Sequence, residues 1–443
     1  MTMAVLAELL EFTRDGEWGS GEADEGLVKV GIIRGTDFSS VRYGDLSGIP
    51  TRYVRASVVE KKQLKPRDIL IETAGGTKDQ PTGRSVYLRD ELFERADKPL
   101  LCASFARFLR VREGAADPRY IFWKLQDEYI REALLPFHVQ HTGVARFQYT
   151  QFAANHRLDL PAELEDQAAI ASTLSTLDDK IELNRRMNET LEALAQAIFK
   201  DWFVTFGPTR RKMEGATDPV AILGDLIPDP TKAAPLAFLF PDSFGQDGLP
   251  EAWEKREIGQ DFHVTMGQSP PGDTYNEAGN GLPFYQGRRD FGWRFPTRRV
   301  YCSAPTRVSP ADWTLVSVRA PVGDINRAWE ECCIGRGVGA FMHREKLASF
   351  TYYAGLHLRE ELASYDKDGT VFGSINQNQF KALKICGADQ TAAAAFDDFV
   401  LPIDDLIRTK TDESRTLAET RDYLLPKLMS GAVRVRNADA LAE

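Results

Sequence analysis

The chain has 443 residues, 43% of them apolar, with a formal net charge of −10. At roughly 150 residues per domain this length suggests two to four domains, with enough apolar material for buried cores. No apolar run approaches the roughly 18 residues of a membrane span, and nothing at the start reads as a secretory signal. The five cysteines (Cys102, Cys302, Cys332, Cys333, Cys386) fit neither an even disulfide framework nor a zinc spacing, so a reducing cytoplasm is expected.

The first block, residues 1–160, mixes short β-rich runs with turn signals. Leu27-Val28-Lys29-Val30-Gly31-Ile32-Ile33, Asp68-Ile69-Leu70-Ile71 and Ser85-Val86-Tyr87-Leu88 are the clearest, and residues 118–135 have helical spacing. An α+β domain is predicted. From Pro161 the composition changes, and residues 163–203 hold neither proline nor glycine. Steps of three and four give Ile170, Leu174, Leu177, Ile181, Asn184, Asn188, Leu191, Ala195, Ile198 and Trp202. This is one heptad seam, apolar except at two central asparagines. A long helix over 161–206 follows, of roughly 60 Å if forty residues are helical. Residues 207–249, rich in proline, glycine and aspartate, read as a connector.

A second block, 250–388, again has short β-like runs such as Thr314-Leu315-Val316-Ser317-Val318. A distal helical segment, 389–431, then repeats the seam as Phe396, Val400, Ile403, Ile407, Lys410, Ser414, Leu417, Arg421, Leu424 and Leu428. Pro402 is expected to break it into a short helix, a kink and a helix from 403 to about 425, with Pro426 and Gly431 marking the stop. Residues 432–443 are expected to be a flexible tail. Asp178-Asp179-Lys180-Ile181 falls on Asp404-Asp405-Leu406-Ile407, so the chain is an internal repeat of block plus helix. If a pseudo-two-fold axis relates the halves, the helices run antiparallel. The polar seam positions Asn184, Asn188, Lys410 and Ser414 then either set register or form a notch for a partner.

Charge follows the same division. Residues 25–158 carry +6 and 284–344 carry +5, whereas 159–203 carry −6 and 389–443 carry −4. Basic blocks on an acidic frame suit phosphate contact, although ordinary surface variation would look similar. Catalytic motifs are missing: there is no nucleotide-binding P-loop, no G-x-S-x-G elbow and no metal-ligand set. Arginine set in turns beside amides and aromatics is what recurs. Arg34 and Thr36, the polar loop of Lys78, Gln80 and Arg84, Gln268, the Arg288-Arg289 pair, Arg319 and Arg336 are the candidate DNA contacts. Arginine reads guanine and glutamine reads adenine through paired hydrogen bonds, while lysine and threonine hold phosphates. Singly, each reads more readily as a surface ion pair; similar loops in both copies weaken that reading for the set.

On these residues the chain resembles the specificity subunit of a type I restriction–modification system. The helical motifs carry the likeness: Leu160-Pro161, Glu165-Asp166-Gln167-Ala168-Ala169-Ile170, Leu177 to Asn184, Phe199-Lys200-Asp201-Trp202-Phe203, and Arg421 to Gly431. Arg34-Gly35-Thr36-Asp37 and Ser317 to Gly323 are similar to its two target recognition domains. The chain departs from the pattern at Ala388-Asp389-Gln390, where a proline-rich entry and a Glu-Gln pair are common. The resemblance implies two α+β target recognition domains, 1–160 and 250–388, each reading half of a split, asymmetric site on double-stranded DNA. Two long antiparallel helices would form a coiled-coil spacer between them. That spacer would dock two methyltransferase (modification) subunits and, where the system has them, two restriction subunits. Asn184, Asn188, Trp202, Phe203, Lys410, Ser414 and Leu424 are the spacer and docking candidates. The resemblance implies no catalytic residue, no metal and no cofactor of the chain's own. A coiled-coil adaptor without sequence reading, or a self-contained DNA methyltransferase or nuclease, are the alternatives; the latter lacks its Asn/Asp-Pro-Pro-aromatic motif.

Overall fold

The computed structural model describes residues 2–75, 80–140, 145–366, 373–387 and 390–435. The fold is mixed α/β. It contains two 40-residue helices, the proximal Leu164–Phe203 and the distal Gln390–Met429. The chain divides into two compact units, Met1–Arg186 with Thr411–Glu443, and Met187–Lys410. Each globular block therefore shares its unit with one end of both helices. No described helix is long and apolar enough to cross a membrane.

In the first unit, Leu10–Asp15, Ala106–Val111, Ile69–Glu72 and Ser85–Tyr87 form an antiparallel sheet in that order. Side chains alternate across it. Ile69, Ile71 and Leu109 face a core shared with Tyr120, Ile121 and Leu125 of the helix Pro118–Ile130. Leu70, Val86 and Phe108 face the other side, where they meet Ile33, Phe38 and Leu100. Both long helices enter the first of these cores, through Ile170 and Leu174 from one and Leu425 and Leu428 from the other. Asp178 meets Arg421 and Asn184 meets Glu413, so residue number rises along one helix as it falls along the other.

In the second unit, Phe262–Met266, Val338–His343, Thr314–Ser317 and Ile325–Arg327 form an antiparallel sheet. A five-stranded sheet of short strands lies beside it in sequence, ordered Tyr275–Asn276, Tyr301–Cys302, Leu282–Tyr285, Cys332–Ile334 and Val308–Ser309. Ala195, Ile198 and Trp202 of the proximal helix join Phe396 and Val400 of the distal helix in one core. Each block also begins and ends on the same device. Thr2–Val5 pairs antiparallel with Arg157–Leu160, and Glu254–Glu257 with Lys384–Gly387, just before the respective long helix.

One expectation is corrected here. The distal helix is one assigned helix that continues through both Pro402 and Pro426. An internal proline costs about 3 kcal/mol, but burial of a large apolar side chain returns about 1.5–3 kcal/mol. Phe396, Val400 and Ile407, all fully buried, flank Pro402 on one face and outweigh it. Gly431, at φ +74°, supplies the left-handed residue after the helix end. The segment read as a connector holds three short helices, Gly207–Met213, Pro219–Ile222 and Pro230–Phe238. Ala233, Ala237 and Phe240 from this stretch pack into the same core as Trp202.

Candidate nucleic-acid interface

Four candidate segments of the second unit meet at the backbone. The Gly267 and Gln268 N–H groups donate to Val338 and Ile334 at 2.9 and 3.0 Å, Gly335 donates to Tyr285 at 2.8 Å, and Val318 donates to Gly337 at 3.0 Å. Glycine permits this approach. A Cβ on Gly267 would lie 2.2 Å from the Gly335 carbonyl oxygen, and one on Gly337 would lie 2.2 Å from that of Gln286. The adjoining loops present Gln268, Arg288, Arg289, Arg319 and Arg336, all exposed. Arg288 Nε sits 2.6 Å from Asp324 Oδ2 while its side chain stays 62% exposed. Among the described residues none forms an ion pair with Arg289, Arg319 or Arg336. Such guanidinium groups give up only water when a phosphate or guanine approaches.

In the first unit the arginines are committed. Arg34 donates through Nε and Nη2 to Asp37 at 2.9 and 2.7 Å, and through Nη2 to the Gly48 carbonyl. Arg84 holds Glu72 in the same two-pronged way at 3.0 and 2.7 Å. A Cβ on Gly35 would be 2.7 Å from Glu72 Oε1, so the two pairs adjoin. Thr36 and Gln80 are exposed beside them. Lys78 lies outside the described residues. The paired forks build these loops and leave Arg34 and Arg84 already occupied by a carboxylate.

Sequence reasoning passed over three exposed neighbours. Phe105, 63% exposed, accepts the Thr73 and Ala74 N–H groups on its carbonyl, and Arg146 bridges to Ala74. Arg307 accepts the Ile334 N–H next to the Gly335-Arg336 turn. Their only signal was an aromatic or basic residue at a strand end, which is common.

The docking candidates are mostly internal. Trp202 and Phe203 are buried among Phe396, Phe350 and Trp253 in the second unit's core. Their side chains tie the proximal helix to that core. Asn184 is buried, with its Nδ2 donating to Glu413 at 3.0 Å. Asn188 is also buried; Lys410 and Ser414 are half-buried; Leu424 packs against the first unit's core.

Both repeats also bury an aspartate that the sequence had marked only as part of the repeat. Asp178 accepts Arg42 Nε at 2.8 Å, Arg421 Nη1 at 2.7 Å and the Tyr43 hydroxyl at 3.3 Å. Asp404 accepts Arg294 Nη2 at 2.5 Å, Arg327 Nη1 at 2.8 Å and the Tyr353 hydroxyl at 3.0 Å. Arg294, wholly buried, also donates to Glu192 Oε2 at 2.8 Å. Burial pushes the Glu192 carboxyl above the usual carboxylate range, and Arg294 only partly offsets that. Burial works against the Arg294 charge, yet Tyr352, Tyr353, Asp404 and Glu192 hold its guanidinium well above the usual value.

No group of three or more metal-ligating side chains occurs among the described residues. No family model matches the chain. It is 28% identical over 349 residues to a protein of Methanocaldococcus jannaschii named for the specificity subunit of type I restriction enzyme MjaX, covering 78% of this chain and 75% of that one. It is 25% identical over 319 residues to the type I restriction enzyme HindI specificity subunit of Haemophilus influenzae, covering 62% and 69%. The crystal structure of the type I restriction–modification system S subunit from M. genitalium has the same fold, with a TM-score of 0.58 at 16% identity over 96% of this chain and 95% of that one. The resemblance read from the helical motifs is borne out: the relatives found by sequence are type I restriction enzyme specificity subunits.

Proposed function

We propose that this chain is the non-catalytic DNA-reading subunit of a type I restriction–modification complex. Each block reads one half of a bipartite, asymmetric site on double-stranded DNA. The two long helices act as an antiparallel coiled-coil spacer that sets the distance between half-sites. They also dock two methyltransferase subunits and, in systems that have them, two restriction subunits. Methyl transfer, translocation and cleavage belong to those partners, which bring S-adenosylmethionine and ATP.

The observation that carries the reading is the convergence of Gln268, Arg288, Arg289, Arg319 and Arg336 on adjoining glycine-bearing loops, with three of the arginines free of ion pairs among the described residues. Exposed guanidinium groups clustered in this way build a positive potential that draws phosphate to that face. The names carried by the sequence relatives favour the same role.

The test is methylation mapping of the source genome with and without this gene. Loss of adenine methylation at one bipartite motif is the expected result. An unchanged methylome, together with DNA binding that ignores sequence, would return the chain to the adaptor reading.

A further inference from the structure

Asp178 and Asp404 are matched by the repeat, and each is buried under two arginines and a tyrosine. The partners match only in part, for Arg42 and Tyr43 come from the first globular block just after its turn, as Arg294 does in the second. Arg421 comes from the other long helix, whereas Arg294, Arg327 and Tyr353 all come from the second globular block. The same arrangement has thus been assembled from partly different residues at two equivalent positions.

Stability alone is a poor account of it. Buried ion pairs repay their desolvation only with good geometry, and well-packed apolar residues often serve stability as well or better. What paired charges add is direction, since a carboxylate holding two guanidinium groups and a hydroxyl fixes three side chains at once. The chain path gives that direction a use. In the first unit the turn Gly35–Asp37, which bears Thr36 and follows Arg34, runs straight into the short helix Phe38–Val41 and then into Arg42 and Tyr43. In the second, the turn Arg288–Asp290, which bears Arg288 and Arg289, is followed at once by Phe291, Gly292 and Trp293, and then by Arg294. Asn326 holds the Gly292 N–H at 3.1 Å, next to Arg327. Each candidate reading turn is therefore one short, hydrogen-bonded step from its helix aspartate.

We propose that Asp178 and Asp404 are positioning residues, each fixing the reading turn of its own block at a set place on its own stretch of helix. Their consequence is spacing: with the clamp intact, a block meets its half-site at one distance along the DNA and not at its neighbours. This rests on the DNA-reading function proposed above.

The test uses the full chain assembled with its modification subunits. Methyl transfer is measured on duplexes carrying both half-sites, with the intervening spacer native or changed by one base pair in either direction. Asp404→Asn is compared with the wild type and with Arg42→Gln. The Arg42 side chain is 19% exposed, and its loss leaves Arg421 on Asp178, so this second variant decides the matter if the first misfolds. The native-to-altered rate ratio should fall about tenfold, since small misplacements carry large rate costs. Preference for the native bases within each half-site should be retained. A wild-type ratio in the folded variants, or an equal loss at every spacing, overturns the proposal. A wild-type complex indifferent to half-site sequence overturns the function itself, and this inference with it.

Discussion

Replacing Arg294 by methionine removes the cation that, among the described residues, Glu192 and Asp404 share. Asp404 keeps Arg327, but among the described residues Glu192 is left with neutral donors alone, the Tyr352 hydroxyl and the Gln196 side-chain amide, each at 3.2 Å. Arg294 is wholly buried, so solvent screens little of the loss, and removing one member of such a pair costs about 3–5 kcal/mol. Two compact units need not unfold in one step, so a single melting curve is the wrong measure. Hydrogen exchange at the amides of Ala348–His357, inside the second unit, is the right one. Protection there should drop by roughly two to three and a half decades.

The deficit should also depend on pH. The Glu192 carboxyl is already raised above its ordinary 4.5 by burial, and losing Arg294 raises it further. A raised carboxyl binds its proton more tightly in the folded state, so folding is penalised above the folded pKa. The penalty is relieved as pH falls through that value towards 4.5. Adding Glu192→Gln should return at least about 1 kcal/mol through the coupling of adjacent sites. A single-variant loss below about 1 kcal/mol, or strictly additive losses in the double variant, would refute the reasoning.

Three further outcomes are expected. Trp202→Ala empties a fully buried indole site against Phe240 and Phe396 and should cost about 3–5 kcal/mol, read by exchange at the second unit's core amides. Asn184 Oδ1 is buried with no hydrogen-bond partner among the described residues while its Nδ2 donates to Glu413 at 3.0 Å, so Asn184→Leu, which removes both, should change the first unit's stability by no more than about 1 kcal/mol; a larger change in amide exchange there would contradict this. Alanine at Arg289, Arg319 and Arg336 should leave stability within about 0.5 kcal/mol, because these side chains are exposed. DNA binding by the assembled complex should fall, by about 1–3 kcal/mol for each residue that reads a base, and binding unchanged across a salt series would remove these loops from the interface.

The seam was legible because a period near 3.5 survives in the sequence wherever one helix face is buried, and Ile170, Leu174, Ile198 and Val400 are buried as it requires. Pro402 misled because local cost was weighed without the apolar neighbours that cover it. The loop arginines were legible as residues in turns, but not as paired or free. Whether Arg84 meets Glu72 depends on which strands pair, and Ile69–Glu72 lies next to Ser85–Tyr87 only in the folded sheet. Arg294 shows the same limit more sharply. It sits in a basic, aromatic stretch that gives no sign of burial, yet it is wholly buried, because Asp404 and Glu192 come to it from distant parts of the chain.

The strand pairs Thr2–Val5 with Arg157–Leu160, and Glu254–Glu257 with Lys384–Gly387, close each block as a loop whose two ends lie side by side. Whatever lies between such ends can change in length, register or composition without moving the residue that starts the following helix. Recombination at these closures would exchange one globular block for another while leaving the rest of the protein unaltered. On the function proposed above, the architecture would separate what is read from where it is read, and a single genetic event could give a lineage a new DNA target.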